Sequence, residues 1–429
     1  MPPTISLAMI ARDRGKLLAR CLENVRPHVD EIIVVDAGGS TDDTKEVAKS
    51  FGALVFDFNP TTHPEAFYLD VEERFAPHGI PGPYTSRQAL ANFSAARNFS
   101  FEQCTGDYIL WLDSDDIVTN PEKLRWVAEK LGTDPTVESA FLHYEYDHDK
   151  DGNCTIRQVR ERLIRRSDFQ SGKVRWKLPI HETLDGLKKG FLFEEVVVIH
   201  QSPPVETITI EQNGVRVQTD HRDQVRYRNV KNLLVEQERI EKLGETLPWR
   251  LYYYLGTEMR SINPERAIGY FKQYIGLSPW AEERAMSRYY IGQIREMTQH
   301  ADDAWDLFSG AALEYPSNPA PWFGLARLAF TRGEWSQVIY FSERGFACVK
   351  EDVVKHPSLV LNPLEWQYRA HLPYSRALIE TGRIEDAKKS CEAGLSINPS
   401  CYFLNIHTKM IAEKEALISG SSNEKVQAA

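Results

Sequence analysis

Two hydrophobic rhythms divide the chain. Short apolar runs occur at Ile5–Ile10, within Glu31–Asp36 and at Leu54–Phe58. Between the first two, Leu17, Leu18, Cys21, Leu22 and Val25 fall on one side of a helix over Lys16–Val25. Ile32–Val35 is apolar without alternation, as a strand buried on both faces must be. Ser40 and Asp43 have capping-box spacing and predict a helix start, and Gly52 predicts its end. This β-α-β-α-β order predicts a parallel sheet with right-handed crossovers. Prolines 60, 64, 77, 81 and 83 and glycines 79 and 82 then predict a long irregular insertion over 59–92. Regular patterning resumes as a helix over Ser94–Cys104 and a strand over Tyr108–Leu112. Asn120 and Pro121 predict a further helix start. Strands are expected near Ala140–Tyr146, Thr155–Ile164 and Glu195–Ile199.

From about Val225 the period becomes helical and repetitive. A tetratricopeptide unit places a small residue, then Ala about twelve positions later, then Pro about twelve after that. Gly292, Ala304 and Pro316 fit all three positions. Ala267 and Pro279 fit the last two, with Leu255-Gly256 slightly out of step. Trp322, Leu325 and Ala326 fit the first helix of another unit, and Ala387 and Pro399 close a fourth. Residues 348–365 interrupt the array. The expected organisation is an α/β domain over 1–203, a connecting segment and helix over 204–245, an all-α repeat domain over 246–412 and a disordered polar tail over 413–429.

Composition narrows the function. A formal charge of −10 disfavours nucleic acid as main partner, because phosphate binding needs a basic face. Cys21, Cys104, Cys154, Cys348, Cys391 and Cys401 are scattered and read as free thiols in a reducing compartment. Met1–Ile10 lacks the features of a signal peptide, and no stretch approaches a transmembrane length. The expectation is a cytoplasmic protein.

The chemistry centres on Asp113-Ser114-Asp115, at the carboxyl end of the strand over Tyr108–Leu112, where open α/β sheets bind ligands. Two carboxylates there suit Mg²⁺ or Mn²⁺. Such an ion bridges the phosphates of a nucleotide sugar and neutralises charge as the diphosphate leaves. The plainer reading is an Asp cluster that caps the next helix. Context favours the first. The stretches ISLAMIARD, EIIVVDAGGSTDDT, FSAARN and YILWLDSDD resemble the family 2 glycosyltransferases with the GT-A fold, in that family's order over about the first 120 residues.

The resemblance implies roles by position. Ala11 and Asp13 border the nucleotide, Asp36 bonds the nucleobase, and Arg97 faces the nucleotide or its phosphates. Asp113 and Ser114 meet the nucleotide sugar, Asp113 touching the ribose or the metal, and Asp115 binds the metal. Many relatives carry Asn-Glu where this chain has Arg12-Asp13, so base and sugar preference stay open. Asp36 and Arg97 could instead serve as a helix cap and a surface ion pair.

Ile180-His181-Glu182 resembles the His-Glu segment of one branch of the family. Glu182 is the expected base for an inverting transfer, with pairing to an Arg as the alternative. His200, after Val-Val-Val-Ile, matches a histidine that completes the metal site in relatives, and imidazole suits Mn²⁺ beside carboxylates. Asp147, Asp149, Asp151 and Gly152 mimic an EF-hand loop, but the twelfth position is Gln158, and a hairpin turn is expected. Arg157–Arg166 reads as a solvated strand face, and Arg222, Arg226 and Arg228 as a solvated helix face.

A transferase followed by repeats is similar in layout to the S-glycosyltransferases that modify bacteriocin peptides of the sublancin type. The expected donor is a nucleotide-diphosphate sugar, a UDP-sugar first, and the expected acceptor a peptide or protein. A cell-surface polysaccharide or glycolipid acceptor is the rival. A dead transferase fold acting as a repeat scaffold is the other, though Asp115 and Glu182 are both retained.

Overall fold

The computed structural model describes residues 2–80, 87–148, 154–201, 207–212, 215–350 and 368–427. It divides into two compact units, Met1–Arg266 and Ala267–Ala429.

In the first unit, β1 (Ile5–Ala11), β2 (Glu31–Ala37) and β3 (Leu54–Phe58) alternate with α1 (Gly15–Val25) and α2 (Thr44–Ser50). β1 lies parallel to β2, and β2 to β3. The insertion holds β4 (Phe67–Asp70), a short α3 (Glu72–Phe75) and β5 (Arg87–Leu90). Then come α4 (Phe93–Glu102), β6 (Tyr108–Trp111), β7 (Asp116–Val118), α5 (Leu124–Thr133), β8 (Ser139–His148) and β9 (Cys154–Arg165). A short α6 (Arg166–Gln170), β10 (Arg175–Lys177), β11 (Thr183–Asp185) and β12 (Gly190–His200) follow. The eight-stranded sheet runs β3-β2-β1-β6-β9-β8-β12-β7. The odd residues of β1 pack with Leu18, Leu22 and Leu124 on one face, while Ala8 packs with Phe101 and Trp176 on the other. Burial on both sides explains the uninterrupted apolar runs.

β1, β2 and β3 are parallel as the β-α-β-α-β order predicted, and the sheet becomes mixed beyond β6. β9 runs antiparallel to both β6 and β8, and β7 antiparallel to β12. The β8–β9 connection is too short for a crossover and can only be a hairpin. Its turn, with Asp149, Asp151 and Gly152 of the EF-hand mimic, lies outside the described residues. The strand order reverses between β1 and β6, which places a ligand crevice at their carboxyl ends.

Three local expectations change. α2 starts at Thr44 because Ser40 Oγ donates to Asp36 at 2.7 Å and does not cap the helix. The insertion is partly regular: β4 and β5 pair antiparallel, with Tyr68, Asp70 and Leu90 buried. It is fastened to α7 (His221–Lys242), where Lys231 Nζ donates to Asp70 at 2.9 Å. α8 (Trp249–Met259), placed by its sequence among the repeats, belongs to the first compact unit.

The second unit is a stack of helices. α9 (Pro264–Leu277) leads into α10 (Ala281–Met297) and α11 (Ala301–Glu314), then α12 (Pro319–Thr331) and α13 (Trp335–Lys350). α14 (His371–Glu380), α15 (Ile384–Ile397) and α16 (Tyr402–Gln427) complete it. The interruption expected at 348–365 lies mostly outside the described residues. The stretch expected as a disordered tail is instead helical through Gln427, consistent with its helix formers Ala412 to Leu417 and the Lys414 Nζ bond to Ile379 O at 2.8 Å.

The repeat signature has a packing cause. A Cβ at Gly292 would stand 2.5 Å from the Phe308 ring, and one at Gly345 would stand 2.6 Å from Phe323. Ala304 and Ala387 are fully buried. Small residues let one helix accept an aromatic ring from its neighbour in the stack. Gly292→Val should therefore cost about 1–3 kcal/mol through overpacking. A denaturant midpoint unchanged from wild type would contradict this close approach.

Candidate functional site

The carboxyl ends of β6 and β12 meet beside the crevice. The turn after β6 carries Asp113, Ser114 and Asp115, β7 opens with Asp116, and β12 ends in His200, which pairs in register with Asp116. Asp116 is fully buried. Its oxygens accept from Asp113 N at 2.9 Å and Tyr144 OH at 3.2 Å, and meet Arg162 Nη1 at 3.2 Å. Those bonds fix the turn that aims Asp115.

Asp115, Asp116 and His200 form a group whose ligand atoms lie within 4.8 Å of one another. His200 Nδ1 lies 3.3 Å from Asp115 Oδ1 and 3.5 Å from Asp116 Oδ1, yet makes no aligned hydrogen bond. A buried ring nitrogen with no aligned hydrogen bond, flanked by two carboxylate oxygens, is a donor set that fits a divalent ion. Asp115 is the stronger ligand candidate of the two acids, since the oxygens of Asp116 are already engaged. Burial raises the Asp115 carboxyl to about 6; His200 opposes this, and Asp113 and Asp116 add to it. Asp113, expected as a ligand, does not join the group. Its Oδ1 takes Arg97 Nη2 at 2.7 Å.

Arg97 on α4 is the hub. Its Nε donates to Glu182 Oε1 at 3.2 Å. Its guanidinium lies 4.9 Å from the Trp111 ring and 5.1 Å from the Trp176 ring. Burial disfavours its charge, but Asp113 and Glu182 outweigh that and raise its pKa. Burial also raises Asp113, and Arg97 followed by Arg162 more than reverses this, holding it well below the usual carboxylate range. α4 is capped by Asn92, whose side chain accepts from Ala95 N. Asn98 bonds both the N and the O of Trp176, tying β10 and its indole to the same helix.

On the nucleotide side, Ala11 pairs in register with Asp36. The Asp36 carboxylate is closed inside its own loop: it accepts from Ser40 N at 2.8 Å and meets Lys45 Nζ at 3.1 Å. Asp13 accepts from Thr41 N at 2.7 Å, and its own N donates to Ser40 Oγ at 3.1 Å. Both acids therefore order the loop over 38–45. Ser114 is buried beside Asp113.

Sequence reading missed several partners. Arg162 is no solvated residue: it is fully buried between Trp111 and Tyr144, 3.9 and 4.2 Å from their rings. Arg160 also leans over Trp111, and Arg165 is spent on backbone carbonyls of Leu131, Asp134 and Val137. β9 lies between two strands, so its alternation aims arginines into the site. Arg157 alone of these is exposed and pairs with Glu145. Arg228 lies over the Phe93 ring at 5.0 Å.

The topology and this cluster define a GT-A type α/β domain followed by helical repeats. Residues 84–193 match the family model described as "Glycosyl transferase family 2", and helices in a tetratricopeptide-like layout follow that segment. The chain is 36% identical over 112 residues, 26% of its length, to a TPR repeat-containing protein of Synechococcus elongatus. It is 25% identical over 283 residues, 64% of its length, to the SPbeta prophage-derived glycosyltransferase SunS of Bacillus subtilis. It spans 20% of the first relative and 53% of the second. Among solved structures, glucosyl-3-phosphoglycerate synthase from Mycobacterium tuberculosis, in complex with Mn²⁺ and UDP, aligns at 25% identity. That alignment covers 33% of this chain and 44% of the other, with a TM-score of 0.23. A score this low leaves the fold to the topology described above.

Proposed function

We propose that the chain transfers a sugar from a nucleotide-diphosphate sugar, a UDP-sugar first, to an acceptor nucleophile, with inversion at the anomeric carbon. The observation that carries this reading is Asp115 beside His200 Nδ1, which makes no aligned hydrogen bond, at the end of a buried strand within the segment that matches the family 2 model. A divalent ion held by Asp115 and His200, with Asp113 at hand, supplies charge neutralisation for the departing diphosphate. The imidazole favours Mn²⁺ over Mg²⁺. Ala11, Asp13 and the loop ordered by Asp36 border the nucleotide, Ser114 lies under the sugar phosphate, and Arg97 holds Asp113 and Glu182 in place.

Glu182 is the proposed base. Arg97 engages Oε1 and leaves Oε2 to take the acceptor's proton as the bond from the anomeric carbon to phosphate oxygen breaks. A peptide or protein acceptor is supported by the repeat array, whose kind presents extended binding surfaces. Six free cysteines support a reducing, cytoplasmic setting. Among the described residues no helix is long and apolar enough to cross a membrane.

Thermal shift with nucleoside diphosphates and nucleotide sugars, with and without Mn²⁺, tests the reading. A ligand at 100 times its Kd adds about 2.7 kcal/mol. That corresponds to about 2–4 °C per kcal/mol for a unit of this size. The expected result is a Mn²⁺-dependent shift for one nucleotide, absent in Asp115→Ala. A folded wild type that responds to none overturns it.

A further inference from the structure

The family segment ends at residue 193, yet the turn that carries Glu182 is held by residues far beyond it. Glu258 on α8 is buried, and its Oε1 accepts from His181 at 2.6 Å and from Asn229 Nδ2, on α7, at 3.1 Å. The His181 ring stacks on Tyr254, 4.6 Å away and tilted by 17°. His181 has φ +52° and Leu178 φ +74°, left-handed backbone that non-glycine residues avoid. Strain of this kind persists where the surroundings over-determine it, and it concentrates at ligand sites. Here Ser94 Oγ and Phe93 N hold the Leu178 and Pro179 carbonyls, and Arg160 holds that of Glu182 at 3.0 Å.

We infer that His181 orients the acceptor's nucleophile for Glu182, and that Glu258 with Asn229 is the positioning pair that fixes its ring. The inference rests on the transferase reading. A carboxylate only accepts, so when the His181 ring carries a single proton, that proton sits on the bonded nitrogen, Nε2. Nδ1 is left as an acceptor on a side chain 35% exposed, adjacent in the chain to the proposed base. The acceptor must therefore present two hydrogens, one to Glu182 and one to His181. Water does so. A peptide residue does so when its backbone N–H flanks a hydroxyl or thiol, whereas a nucleophile with a single hydrogen and no neighbouring donor does not.

Hydrolysis of UDP-sugars by the full chain, with Mn²⁺, uses water as the acceptor probe. His181→Ala and Glu258→Ala should lower kcat about 10- to 100-fold, the scale of a misplaced reactant, with donor KM within twofold of wild type. Glu258→Gln, which keeps an oxygen for the Nε2 proton, should recover most of the rate. Nitrogen-15 spectra of the histidines give a readout independent of donor: His181 should be an Nε2–H tautomer, lost in Glu258→Ala. Unchanged kcat in both alanine variants, or an Nδ1–H tautomer in wild type, overturns the inference while leaving the transferase reading intact. A wild type that neither binds UDP with Mn²⁺ nor hydrolyses any UDP-sugar takes down both.

Discussion

Arg97→Met should destabilise the first unit by about 3–5 kcal/mol, the cost of removing one partner from a buried ionic cluster. Arg97 is 9% exposed, and its guanidinium donates to two carboxylates and lies over two indoles. Methionine fills much of the space but removes the cation bonded to both Asp113 and Glu182, leaving Asp113 only the more distant charge of Arg162. At about 2–4 °C per kcal/mol the first unit's melting transition should fall by roughly 6–20 °C. Arg97→Lys should recover only part of this, since one ammonium cannot reproduce two bonds at the fixed angle of the fork. Calorimetry resolves the two units if they melt separately. A loss below about 1 kcal/mol would mean that the acids find other partners, and that Arg97 is no hub.

The second large effect is on rate. Glu182→Gln preserves shape and an oxygen for Arg97 Nε, but it cannot take a proton. Transfer and donor hydrolysis should slow by roughly 10²–10⁴ in kcat, with the nucleotide affinity measured by calorimetry unchanged. Equal losses in nucleotide affinity and in rate would reassign Glu182 to donor binding through Arg97.

How much of this was legible beforehand can be traced residue by residue. β3 was bounded at Leu54 and Phe58 by its apolar run and by Gly52, and the structure keeps those limits. Asp115 could be placed from the sequence because it follows the unbroken apolar run of β6, and His200 because it closes the apolar run Val196–Ile199 at the end of β12. Arg162 was not. In a strand, charged residues at alternate positions look the same whether they meet water or an aromatic slot, and only the neighbours β6 and β8 decide. Nor was the antiparallel entry of β9, since periodicity gives no strand direction. Glu258 was beyond reach for another reason: it meets His181 across 77 positions, and no local pattern encodes a contact of that range.

The bond between Asp70 and Lys231 bears on how such proteins can be recombined. A graft made where the sheet ends, after His200, would leave a buried aspartate without its lysine and His181 without its carboxylate. Exchange of repeat arrays between relatives is thus confined to junctions beyond α8. On the proposed reading, an array exchanged there would carry its acceptor preference with it, while α7 and α8 stay with the first unit.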